Sequence, residues 1–218
     1  MRENHSPAQN FFEDLLTNIG CLSITQANTI FADVFGATPS QTRLLIHTAH
    51  AERFCHFDEK FRYVVLGSTN ENKINKMRAN TIEAFGAAYN LVSNIDDLKS
   101  IYRPYSGGDL RFRANDKNYE IFVTDEAGIS SLLFLQDKYD DYIKRGSKHK
   151  TIKTEEWQEA YTTTIILFPH GSNLKKCAGL LKDLHPTFPY IIACNICDDL
   201  FGQIETKFYY SQNDDKAD

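Results

Sequence analysis

Two helix stops followed at once by a helix start constrain this chain more than any other feature. Phe11, Phe12, Leu15, Leu16 and Ile19 recur at helical spacing and halt at Gly20. Ala27, Ile30, Phe31 and Val34 form a second apolar stripe, capped by Ser23 or Thr25 and ended by Gly36. Thr38-Pro39-Ser40-Gln41 then supplies a cap, a proline at the first helical position and a Gln three residues after the cap, the pattern of a capping box. Three short helices in close succession are predicted. The third buries Thr42, Leu45, Ile46, Ala49 and the terminal Phe54, and turns Ser40, Arg43, Leu44, His47 and His50 outward. Phe54-Cys55-His56-Phe57 and Phe61 to Leu66 flank Asp58-Glu59-Lys60, which predicts a short β-hairpin.

The polar stretch Gly67 to Asn72 separates that unit from the remainder of the chain, so the expected division is residues 1–67 and residues 68–218. Ile74, Met77, Ile82, Phe85, Ala88, Tyr89 and Val92 mark a long helix that also bridges the two units. Ser100 to Tyr105, Leu110 to Ala114 and Tyr119 to Thr124 read as short strands in an antiparallel meander. A helix after Gly128, a buried-type strand over Thr162 to Phe168, a helix over Asn173 to Leu184, and strands over Tyr190 to Cys194 and Glu205 to Tyr210 complete the order. The fold class expected is α+β: a helical N-terminal unit, then an α/β unit with a mixed sheet.

Composition limits the function classes. A chain of 218 residues, 42% apolar, is long enough to bury a core, and no apolar run reaches the roughly 18 residues of a membrane helix. The opening Met1 to Asn10 is polar and lacks an apolar signal core, so a cytoplasmic chain without membrane attachment is expected. Cys21, Cys55, Cys177, Cys194 and Cys197 are odd in number and scattered, as thiols of a reducing compartment are. A net charge of -5 excludes a globally basic nucleic-acid coat, which leaves a local patch. The positive residues of the first unit fall late, at Arg43, Arg53, Lys60 and Arg62.

The order of short helix, tight turn, capped third helix and hairpin resembles the winged helix-turn-helix family over about residues 9 to 67. That resemblance implies a third helix in the DNA major groove and a hairpin wing on the backbone. Carried over by position, Ser40, Gln41, Arg43, Leu44 and His47 face double-stranded DNA, and Lys60 and Arg62 sit on the wing. Arg43 suits guanine O6 and N7 or a phosphate, Ser40 and Gln41 suit phosphate or adenine, and Leu44 suits a thymine methyl or a protein partner.

The second unit resembles the restriction-endonuclease-like core. A winged helix joined to a degenerate form of it resembles the replication-relaxation family and related proteins of conjugative and other mobile elements. The resemblance implies a plasmid or mobile-element protein acting in transcription, replication or conjugative transfer. Active members of the nuclease core hold Mg²⁺ with an Asp at the start of the second strand and a Glu-x-Lys on the third. The matching positions here are Asp109 and Glu120, but Phe122 stands where the lysine belongs, which implies a non-catalytic domain with no metal or other cofactor. Arg111, Arg113 and Lys117 are the cations near enough on the neighbouring strand to substitute.

Other constellations are weaker. Cys194-Asn195-Ile196-Cys197 is a single C-x-x-C with only Cys177 and His185 as further zinc ligands, so buried thiols are the expectation. Phe168-Pro169-His170-Gly171-Ser172 lacks the spacing of a phosphate loop, and Ser172 reads as a helix cap. The basic stretch 144–153 reads as a solvated loop. The expected function is DNA binding without catalysis, with a protein partner or homodimer as a further contact. The alternatives are a divergent Mg²⁺-dependent nuclease using Asp109 and Glu120, and an interaction adaptor that never touches DNA.

Overall fold

The computed structural model describes residues 5–67, 75–92, 94–105, 107–146, 162–196 and 205–210. The polar stretch after Gly67, Trp157, Cys197 and the basic loop beyond Gly146 lie outside them.

The capping chemistry places the first three helices. Helix α1 (Pro7–Ile19) ends at Gly20, whose φ of 85° is the left-handed conformation glycine adopts without penalty. Helix α2 (Ile24–Phe35) starts at Ser23 with both capping-box bonds made and ends at Gly36. Helix α3 (Pro39–Ala51) starts at Thr38, again with a complete capping box. Between α1 and α2 lies a strand that the sequence does not announce, β1 (Cys21–Ser23). It pairs antiparallel with β3 (Tyr63–Leu66), which pairs antiparallel with β2 (Cys55–Phe57), giving the order β1-β3-β2.

Helix α4 (Lys76–Tyr89) carries the packing between this three-stranded sheet and the rest of the chain. Thr81, Ile82, Ala84, Phe85, Gly86, Ala87 and Ala88 are all buried, so it is apolar around most of its circumference, as a helix with neighbours on two sides must be. One continuous set of buried side chains runs from Phe12, Leu16 and Phe31 through Ala84 and Phe85 to Leu110, Ile121, Ile165 and Leu167. Each large apolar side chain among them contributes roughly 1.5–3 kcal/mol on leaving water. Polar bonds cross the same boundary. Gln26 Nε2 donates to Ile82 O at 2.8 Å, Arg103 N donates to Asn18 O at 2.8 Å, and the Tyr89 hydroxyl donates to Asp33.

The larger sheet is mixed, in the order β4 (Leu110–Ala114), β5 (Lys117–Val123), β6 (Thr163–Phe168), β7 (Tyr190–Asn195), β8 (Thr206–Tyr210). The outer pairs are antiparallel and β5-β6 and β6-β7 are parallel. Helix α6 (Leu133–Gly146), preceded by a 3-10 turn at Ile129–Leu132, lies in the first parallel crossover, and α7 (Leu174–Asp183) in the second. Strand β6 is the centre and is buried on both faces: Ile165 and Leu167 join the α4 core, while Ile166 and Phe168 join a second core with Leu132, Leu135 and Leu181. The β4–β5 turn narrows to Asn115 and Asp116, both at positive φ, the two-residue hairpin geometry.

One expected strand is mostly absent. Over 100–105 Tyr102 alone bridges, to Arg111, and the residues just before form a one-turn helix α5 (Ile95–Lys99), which Asn94 caps by accepting from the backbone N–H groups of Asp96 and Asp97.

Candidate nucleic-acid interface and a buried carboxylate cage

Helix α3 is held from below by Thr42, Ile46 and Ala49, all buried, with Leu45 half-buried. Ser40, Gln41, Arg43, Leu44, His47 and His50 are exposed, and Leu44 retains 69% of its accessible surface. Gln41 has a divided role. Its side-chain oxygen accepts from the Thr38 N–H at 2.8 Å, so only its amide NH₂ is left for an outside acceptor. His50 donates to Cys55 O at 2.9 Å through Nδ1, which ties the end of α3 to β2.

The β2–β3 turn stands beside this face and is built around Asp58. Its carboxylate accepts from the backbone N–H groups of Lys60 (3.2 Å), Arg62 (2.6 Å) and Tyr63 (2.8 Å). Its negative charge is thereby directed into the turn. Lys60 is exposed, whereas Arg62 is half-buried with its guanidinium 5.4 Å from the centre of the Tyr63 ring. Of the two expected wing cations, Lys60 is the more exposed. The turn forces Phe61 to a φ of 53°. A side chain with a Cβ pays roughly 1–2 kcal/mol there, and this one is also 69% exposed. Sequence reasoning assigns Phe61 to the hairpin but does not single it out, because positive φ at a phenylalanine has no local signal.

The second cluster lies in the larger sheet. Glu120 on β5 faces α6 and is 4% exposed. Its Oε1 accepts from the Gly108 N–H at 2.8 Å and from Arg111 Nη2 at 3.0 Å, and Lys138 Nζ on α6 lies 3.4 Å from Oε2. Arg111 is directly opposite Glu120 in the β4–β5 register. Of the three cations the sequence offers, it is Arg111 that reaches Glu120; Arg113 pairs with Asp116 at 2.9 Å and Lys117 is exposed. Sequence reasoning misses Lys138, whose only signal is its place on the α6 turn between Leu135 and Tyr139. Two glycines close the cage. A Cβ at Gly108 would sit 2.5 Å from Ile121 O, and one at Gly107 2.5 Å from Glu120 Oε1.

Asp109, one residue before β4, has a different set of neighbours. Its Oδ2 accepts from the Val123 N–H at 2.8 Å, and Asn80, Arg103 and Lys76 surround it. Burial pushes its carboxyl above the ordinary carboxylate range, and the hydrogen bonds and the two cations pull it partway back. The two acids of the nuclease pattern therefore belong to separate environments, the α4 side for Asp109 and the α6 side for Glu120. Mg²⁺ does not fit this donor set: both Glu120 oxygens already face cations or an N–H, so a divalent ion would have to displace Arg111 and Lys138.

The buried thiols and one histidine cluster play structural parts. Burial pushes the thiols of Cys21 and Cys55 up to about 12, so both are neutral and inert at pH 7. Cys177 and Cys194 are buried in the second core and are shifted upward for the same reason. Among the described residues, one trio has ligand-type atoms close together: His5, Glu13 and Glu52. His5 Nδ1 lies 3.1 Å from Glu13 and Nε2 lies 3.3 Å from Glu52, so each ring nitrogen faces its own carboxylate. This arrangement ties α1 to the end of α3.

No protein-family model matches the sequence, and no curated protein matches it. Among the described residues, no helix is long and apolar enough to cross a membrane.

Proposed function

We propose that this chain binds double-stranded DNA through α3, as a winged helix-turn-helix protein whose restriction-endonuclease-like body does not cut. The observation that carries this reading is the exposed face of α3. Ser40, the Gln41 amide, Arg43, Leu44 and His47 point to solvent on a helix held rigidly by its capping box and core stripe, beside a turn that presents Lys60. The N-terminal half of such a helix is the part that reaches base edges. The sheet order β1-β3-β2, with its strand between the first two helices, supports the winged-helix assignment. The mixed sheet, with Tyr102 bridging to β4 and α6 crossing to β6, supports the nuclease-like one.

The body is assigned a structural role because Glu120 is already neutralised. A buried carboxylate held by a guanidinium, an ammonium and a backbone N–H has its charge compensated, which suits a fixed ion cluster. Residence on a plasmid or mobile element, with a role in transcription, replication or transfer, rests on the family resemblance.

Binding of a mixed-sequence duplex at 50 mM and 200 mM salt tests the reading. A duplex reader loses affinity steeply between the two conditions, and Arg43→Ala weakens binding and lowers the salt slope by about 1. No binding at 50 mM would remove this reading and leave an interaction adaptor. Cleavage of duplex with Mg²⁺ that disappears in Glu120→Gln would overturn the non-catalytic part of this reading.

A further inference from the structure

Between α3 and the β2–β3 turn lies a cavity of about 320 Å³ lined by Ile24, Arg43, Ile46, His47, Phe57 and Phe61. We infer that this cavity seats one unpaired nucleobase of the bound DNA, stacked against Phe61. The inference rests on the DNA-binding reading above and names the kind of site that reading prefers.

The lining is an aromatic wall. The Phe61 ring lies 5.5 Å from Phe57, centre to centre, and Phe57 lies 5.1 Å from His47 and 5.3 Å from His50. Ile24 and Ile46 provide an apolar lining, and Arg43 supplies a cation for the phosphate that accompanies a base. None of the lining residues is a carboxylate. An apolar peptide side chain would use the wall and leave Arg43 without a role, whereas a nucleotide uses both.

The turn itself points the same way. A phenylalanine at φ 53°, 69% exposed, stands where Asn or Gly would relieve the backbone, and Asp58 engages three N–H groups to hold that turn. The ring's one aromatic neighbour among the described residues is Phe57, and most of its surface is left to solvent. The volume falls at the lower end of the roughly 300–1,000 Å³ typical of small-molecule sites, which suits one planar ring. An unpaired base is favoured over a paired one because it enters without the cost of breaking a pair and leaving the stack.

The test uses the full chain and two duplexes identical except that one carries a single unpaired 2-aminopurine bulge. The bulged duplex is expected to bind about ten-fold more tightly, with the 2-aminopurine fluorescence changing on binding. Phe61→Ala and Phe61→Asn should both lower bulge affinity to that of the paired duplex while leaving paired-duplex affinity within about two-fold, and Phe61→Trp should keep the preference. The Asn variant retains a residue that tolerates this backbone angle, so loss of the preference there reports the ring and not the turn. Equal affinity for the two duplexes, or a preference that survives both ring-removing variants, overturns the inference while salt-dependent binding of paired DNA keeps the parent reading. Failure to bind either duplex removes both.

Discussion

Arg43 and Arg111 are the same residue in opposite settings. Arg43 projects from a capped helix into solvent and makes no ion pair among the described residues, beside a turn in which Asp58 is engaged by three backbone N–H groups. Arg111 lies on a strand opposite a buried glutamate and folds onto it, joined by Lys138 from the next helix. A cation with no local anion is available to a phosphate, and a cation matched to a buried carboxylate is part of the core. The difference lies in the acid next door.

That contrast breaks most visibly at Glu120. Glu120→Gln leaves Arg111 and Lys138 facing a neutral group, and both retain a third or more of their exposure, so water softens the loss. Breaking a fully buried pair costs about 3–5 kcal/mol, and a cage this open should cost about 2–3 kcal/mol, read as a lower urea midpoint with unchanged slope. Paired-DNA affinity should not move. A variant as stable as the parent would show that the cage contributes no stability. Next in size is Arg43→Ala, expected to leave stability within about 0.5 kcal/mol and to weaken duplex binding about ten-fold, near 1.4 kcal/mol. If unfolding shifts and binding does not, the two arginines are alike after all.

Thr38→Ala sharpens the comparison from the backbone side. It removes the hydroxyl that caps α3 and leaves the Thr38 backbone N–H still donating to the Gln41 side-chain oxygen. A loss of about 1 kcal/mol in stability is expected, read from the denaturation midpoint. Because Gln41 stays tethered, duplex affinity measured where the variant is fully folded should stay within about two-fold, and a larger loss would show that the cap orients the DNA-facing residues.

Much of the N-terminal fold is legible in the sequence because its signals are local. Ser23, Gly36, Thr38 and Gln41 act on atoms within a few residues of themselves, and their patterns name the helix ends. Strand β1 is not legible: Cys21-Leu22-Ser23 is too short for a period, and only pairing with Tyr63 to Val65, far along the chain, makes it a strand. Segment 100–105 misleads because its composition favours a strand while the sheet edge offers it a single bridge, Tyr102 to Arg111. At the site, the outward residues of α3 are set by helical spacing. The half-burial of Arg62, the positive φ of Phe61 and the arrival of Lys138 at Glu120 depend on packing across elements, which no window of sequence holds.

The smallest expected effect separates the two acids of the nuclease pattern. Asp109 carries a carboxyl raised above its unfolded value of 3.8 by burial, so between 3.8 and that higher value the folded chain holds more proton than the unfolded one. Stability contributed by this group therefore falls as pH rises through the window and is regained as pH drops. Asp109→Asn keeps an oxygen to accept the Val123 N–H, now without a charge to bury. It should flatten that part of the pH–stability curve and change stability at pH 7 by less than about 1 kcal/mol, in the favourable direction. Denaturation midpoints of both proteins from about pH 3.5 to 7 provide the measurement. A clear loss at pH 7 would mean that the ionised carboxylate is held by Arg103 and Lys76 strongly enough to outweigh its burial. Asp109 would then be an ion cluster like Glu120, and the asymmetry between the two acids would vanish.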